Sequence, residues 1–174
     1  MFEISSYTGG IAETNGWLLQ TETGVLAFDA PDGMAAWLAE RKIRLDALFL
    51  THQHFDHVMD AAEIKAAQGC PILAYASYSK SLTLEVLFGA VTGSSMSVAP
   101  FEVDQVLEGG EWCRLPRFLS SFCMCPVTHP TASAFMRLIW GCFLVATCCS
   151  LEALGARISR VAVSGNCSRA SRRN

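Results

Sequence analysis

Apolar residues in the first half of the chain fall into short runs with polar breaks between them. Leu45-Asp46-Ala47-Leu48-Phe49-Leu50 has the length and composition of a strand. From about Val58 to Gln68 the spacing is Ala-rich and helical, Gly69 stops it, and Pro71-Ile72-Leu73-Ala74 reads as a second buried strand. Strand, helix and strand in that order predict an α/β architecture. Arg41-Lys42-Ile43-Arg44 reads as the solvated end of an earlier helix, its cations complementing the C-terminal dipole. Ser77 to Ser97 predicts a helix followed by a mobile loop near one edge of the site. Trp17, Trp37, Phe49 and Phe88 are assigned to the core.

The polar stretch between the first strand and its helix changes the picture. Residues 51–57 read Thr-His-Gln-His-Phe-Asp-His, so three of the four histidines fall within six positions. A single histidine is most simply a satisfied core residue, but packing has no use for three of them plus an aspartate. Neutral imidazole and carboxylate are ligands for Zn²⁺ and related metals. The cluster lies at the C-terminal end of a strand, where α/β sheets place ligands. His52 and His54 are two apart and share one face of an extended segment. Asp56 and His57 stand where the helix begins and can serve a second position. The spacing suits two metal positions better than one closed structural site.

With those residues in place, the segment resembles the T-H-x-H-x-D-H signature of the metallo-β-lactamase superfamily. Asn15-Gly16-Trp17-Leu18-Leu19 and Gly24-Val25-Leu26-Ala27-Phe28-Asp29-Ala30 are similar to the opening pair of strands of that family, with Pro31-Asp32-Gly33 as the following turn. Gly109-Gly110 fits a later strand-turn, and the likeness covers about residues 1–111. The resemblance implies the N-terminal half of a four-layer αββα sandwich. It also implies a site in which His52, His54, Asp56 and His57 hold two zinc ions, with iron or manganese as alternatives. Asp56 would in addition orient the attacking water. The implied chemistry is attack of metal-activated water on a carbonyl carbon. In the glyoxalase II-like (hydroxyacylglutathione hydrolase-like) branch the substrate is a small-molecule thioester.

Charge and cysteine content break at Trp112. Residues 1–111 carry 15 acidic and 5 basic side chains (−10), whereas residues 112–174 carry one acid, Glu152, and eight arginines (+7), which returns the overall −3. Seven of the eight cysteines also lie beyond residue 111. The arginines are scattered, which argues against a nucleic-acid surface. The cysteine spacings are not those of a zinc ribbon. The apolar run Leu138–Leu154 is shorter than the ~20 residues a bilayer needs.

A constant reading-frame offset accounts for the break. Codons permitted for Cys125 to Pro130, read in the shifted frame, give P-G-H-T-P, the segment in which the superfamily carries its third metal-binding histidine. Trp140 to Thr147 then give G-V-L-F-S-G-D, and Gly155 to Ala162 give R-T-D-L-P-G-G, a signature of the glyoxalase II-like branch. The expected organisation is therefore 1–111 as half of a metallo-β-lactamase-like domain and 112–174 as an aberrant, poorly ordered, out-of-frame tail.

As written, the chain then lacks the rest of the ligand set. His129 is the last histidine and Asp104 the last aspartate. His129 or Cys125 could stand in as a substitute ligand. Losing half the ligands should cost most of the metal affinity, and half a sandwich should leave one face of its sheet uncovered. Two readings follow: a zinc-dependent thioester hydrolase, or a non-catalytic fragment with half a metal site. An iron-dependent persulfide dioxygenase-like ancestor uses a related loop and stays open within the family. The N-terminus offers no targeting segment, so cytoplasm is the expected location, with neither a nucleic-acid nor a membrane partner.

Overall fold

The computed structural model describes residues 2–93 and 95–107, together with the backbone of three short strands between residues 112 and 138. The chain divides into two compact units, Met1–Leu107 and Glu108–Asn174.

The first unit is built on a six-stranded sheet in the order of the sequence. Strands β1 (Phe2–Gly9), β2 (Thr14–Thr21) and β3 (Gly24–Phe28) form an antiparallel meander. Beyond β3 the sheet becomes parallel through β4 (Ala47–Phe49), β5 (Ile72–Ala74) and β6 (Gln105–Val106). Parallel neighbours need crossovers, and helices supply them. Helix α1 (Met34–Glu40) joins β3 to β4. Helices α2 (Phe55–Val58) and α3 (Ala61–Gln68) lie between β4 and β5, and α4 (Lys80–Thr83) and α5 (Glu85–Thr92) between β5 and β6. A mixed sheet with helical crossovers is the architecture the resemblance implied.

Both faces of the sheet are apolar, as strands with two buried sides require. Leu18, Ala27, Leu48, Ile72 and Ala74 join Met34 and Leu38 of α1, Val58, and Ala61 and Ile64 of α3 in one core cluster. The register puts Leu19, Leu26, Phe28, Phe49 and Leu73 on the opposite face. These too are buried, with Phe28 stacked on Phe49 at 5.4 Å. The expectation of an uncovered face turns on segments outside the described residues. Phe49 is a core residue as expected, while Trp17, Trp37 and Phe88 are half-buried. Trp37 packs on Tyr7 and lies under the Arg41 guanidinium, 4.7 Å from the ring centre. Arg41 thus covers an aromatic ring as well as the helix end.

The segment predicted as one helix from Val58 starts earlier and is interrupted. Asp60 breaks it, because its carboxylate accepts the backbone N–H of Ala35 at 2.8 Å and its own N–H bonds the Ala30 carbonyl. Helix α1 begins at Gly33 (φ +87) with no side-chain cap of its own, so Asp60 serves as a cap from a distant part of the chain. Gly69 ends α3 as predicted, in the left-handed region at φ +65 with its N–H on the Lys65 carbonyl. The helix expected after Ser77 is split in two by Leu84, which stands at φ +56. Asp104 ties the far edge together by accepting the N–H of Ile72 and pairing with Lys65.

In the second unit, β7 (Trp112–Cys113), β8 (Phe122–Pro126) and β9 (Ala134–Leu138) form an antiparallel three-stranded sheet. In the β8–β9 hairpin Phe122 pairs with Leu138 and Pro126 with Ala134. The expectations placed on His129, on Leu138–Leu154, on the cysteines beyond residue 111 and on the order of the tail concern side chains or segments outside the described residues. Among the described residues no helix is long and apolar enough to cross a membrane.

Candidate metal centre

The heptapeptide occupies the loop from the end of β4 into α2. Three features put it there: a short buried strand that ends at Phe49, a bend at Thr51, and a helical turn beginning after the extended His54 (φ −62, ψ 145). The three imidazoles come together. The His52 ring centre lies 4.5 Å from that of His54 and 4.0 Å from that of His57. His57 is buried at 4% exposure, whereas His52, His54 and Asp56 are half-buried.

The orientation of this loop depends on Asp29, immediately after β3. Its carboxylate is 1% exposed and accepts the Thr51 N–H at 2.8 Å, the Thr51 hydroxyl at 2.7 Å and His57 Nδ1 at 2.8 Å. A carboxylate can only accept, so His57 carries a proton on Nδ1. Thr51 gives its own proton to Asp29, so the contact of 3.0 Å between Thr51 Oγ1 and His52 Nδ1 is donated by the imidazole. One carboxylate thereby orients both rings, directly for His57 and through Thr51 for His52; in the neutral form of each, Nε2 is the lone-pair nitrogen. Metal-ligating histidines are commonly held in this manner. The Asp29 backbone is itself left-handed (φ +61), held by its N–H on the Phe49 carbonyl.

Asp56 is fixed from another direction. Thr14, the first residue of β2, donates its hydroxyl to Asp56 Oδ2 at 2.7 Å. The same oxygen lies 3.4 Å from His57 Nε2. Two donor atoms each about 2.1 Å from a tetrahedral zinc lie roughly 3.4 Å from one another, so this pair fits one edge of a metal site. Among the described residues no group of three or more His, Cys, Asp or Glu side chains is arranged to hold a metal ion by itself. Asp56 and His57 thus present one pair of donor atoms at a spacing that fits a metal, beside the clustered rings of His52 and His54.

Gln53 points away from the imidazoles. Its amide donates to the Ala76 carbonyl at 2.6 Å, which ties the loop to the segment after β5. Phe55 packs on Phe88 of α5 at 4.6 Å and brings that helix against the loop. Asp60, three residues past His57, has its carboxyl pushed above the ordinary aspartate value by burial, with Glu63 and Asp32 adding to the shift.

The loop's own four residues were legible from their spacing. Thr14 and Thr51 were not singled out, and Asp29 was noted only as the end of a strand. A carboxylate directly after an apolar run was the available signal for Asp29; Thr14 carried none.

The sequence pattern of the metallo-beta-lactamase superfamily matches residues 13–134, running past residue 111. No curated protein matches the chain significantly. Among solved structures it is similar to the BLEG-1 B3 metallo-beta-lactamase (TM-score 0.59, 19% identity, covering 78% of this chain and 67% of that one). It is also similar to BJP-1, a subclass B3 metallo-beta-lactamase of Bradyrhizobium japonicum (TM-score 0.52, 18% identity, 71% and 50% covered). A third is MIM-1 from Novosphingobium pentaromativorans (TM-score 0.52, 19% identity, 81% and 54% covered). At these identities the likeness concerns the fold, and the chain spans between half and two thirds of the length of these structures.

Proposed function

The chain belongs to the metallo-beta-lactamase superfamily, and from that premise we propose that it is a zinc-dependent hydrolase of the glyoxalase II-like branch acting on a small-molecule thioester. The observation that supports this most is the donor pair Asp56 Oδ2 and His57 Nε2, 3.4 Å apart on a single helical turn. Zinc bound there would supply Lewis-acid activation of water near neutral pH. His52 and His54 would present one pair of donors to it, and Asp56 and His57 the other. Asp56 would also orient the attacking water as a carboxylate acceptor. Asp29 holds Nδ1 of His57 directly and Nδ1 of His52 through Thr51, so that Nε2 of each neutral ring would be the ligating nitrogen. Superfamily members are dinuclear metal enzymes, usually with zinc, and iron or manganese are the alternatives for this loop.

A second reading is a non-catalytic fragment with half a metal site, favoured by the lack of any three-donor group among the described residues. It goes with the proposal that residues 112–174 are read out of frame, which the coding bases around codons 110–112 decide. Stops or unrelated residues in the shifted frame would end that proposal.

Purified chain loaded with Zn²⁺ and assayed on a thioester and on a β-lactam separates the readings. Thioester turnover that disappears in His54→Ala supports the hydrolase, β-lactam turnover alone moves the chain to the lactamase branch, and no turnover with zinc still bound supports the fragment. Metal analysis of active protein tests zinc against an iron-dependent persulfide dioxygenase-like ancestry. The expected cytoplasmic location belongs to the same proposal.

A further inference from the structure

We propose that Thr14 is a positioning residue for the Asp56 carboxylate, its hydroxyl holding Oδ2 beside His57 Nε2 so that the two donors are set before a metal arrives. The inference rests on the reading that Asp56 and His57 bind a metal ion. Thr14 lies 42 residues from Asp56 along the chain and is 8% exposed. Its place is fixed by the sheet: it opens β2, pairs with Gly9 of β1, and follows a turn closed by the Glu13 N–H on the Gly10 carbonyl. Asp56 has no comparable support of its own, because α2 is a four-residue turn and a single turn is a poor anchor in isolation.

The chemistry of the partner points the same way. A lysine or arginine on Oδ2 would neutralise the carboxylate and compete with a cation. A threonine hydroxyl fixes the carboxylate plane by one neutral hydrogen bond and leaves the full negative charge in place. A contact needed only to tie β2 to the loop would not require a carboxylate at the other end. Nor would it need the one carboxylate oxygen that stands 3.4 Å from His57 Nε2.

The test uses the full chain and Zn²⁺ as the probe, with affinity measured by competition against a chromophoric chelator. Co²⁺ absorption serves as the geometric readout. Thr14→Val is expected to weaken Zn²⁺ binding by roughly 10- to 100-fold, the usual cost of losing such a supporting contact, and to change the Co²⁺ spectrum. Thr14→Ser restores both. In an Asp56→Asn background Thr14→Val is expected to have no further effect, because the two act through one bond. Thr14→Ala is the second removal variant should valine fail to fold, and melting of the metal-free chains reads the structural contribution separately. Equal Zn²⁺ affinity in wild type and Thr14→Val, with His54→Ala still impaired, overturns the role of Thr14 and leaves the metal site standing. Wild type that binds no Zn²⁺ through Asp56 overturns both.

Discussion

The two halves of the heptapeptide are held differently. His57 and Asp56 are built into the fold: one is buried against Asp29, the other is tied to Thr14. His52 and His54 stand half-buried with their rings edge to face at 4.5 Å, and His52 reaches the Asp29 network only through Thr51. The same residue type thus carries two kinds of constraint in one short loop. A histidine that closes a buried hydrogen-bond network, as His57 does, is part of the stability of the domain, and a half-buried one such as His54 matters mainly for chemistry. Substitutions on the two sides should therefore fail in different assays.

The largest expected effect is at the centre of the anchored half. Asp29→Ala removes three acceptor contacts from a buried site and puts alanine at φ +61, so a loss of about 3–5 kcal/mol in urea denaturation is expected. A loss below about 1 kcal/mol would mean that the network does not anchor the loop.

Asp60→Asn probes the next residues along. Burial raises the Asp60 pKa, so the folded chain holds a proton where the unfolded chain has lost it. Its contribution is most favourable below the ordinary value of 3.8 and declines as pH rises toward the folded pKa. The melting temperature of Asp60→Asn should gain on wild type as pH rises through that window and stay level above it. Parallel curves would contradict the assignment.

Asp104 works in the opposite sense. Burial alone would push its carboxyl up, but Lys65 and the Ile72 N–H outweigh this and hold it below 3.8. Its stabilisation is present above that value and is lost as pH falls through the lowered pKa. Because the pair is partly exposed, Asp104→Asn should give only a shallower acid limb, visible by circular dichroism as pH falls below 3.8. The smallest stability effect belongs to the displayed half. His54→Ala should change the unfolding free energy by no more than about 0.5 kcal/mol while impairing Zn²⁺ binding. A large destabilisation would erase the distinction between the halves.

Local pattern was enough for the elements around the loop. The apolar run before Thr51, the Ala-rich helix and Gly69 all reappear, because strand burial, helix spacing and left-handed termination act over a few residues. The break at Asp60 was not legible, since its cause is the uncapped end of α1, 25 residues away in the chain. The same holds for Thr14 and Asp29 as supports of Asp56 and His57, at separations of 42 and 28 residues. Periodicity records which face of an element is apolar and is silent on which polar atoms meet across the fold. The split of α4 from α5 at Leu84 went unseen for a related reason: leucine carries no turn signal, and its left-handed backbone is imposed by its surroundings.

The supports of the loop have a consequence for the order of events during synthesis. Thr14, Asp29, Thr51 and the Gln53 contacts at Ala76 and Ser77 all lie within the first 77 residues. Domains fold as the chain emerges, N-terminal parts first. Every contact described for the loop is therefore made between residues synthesised before residue 112.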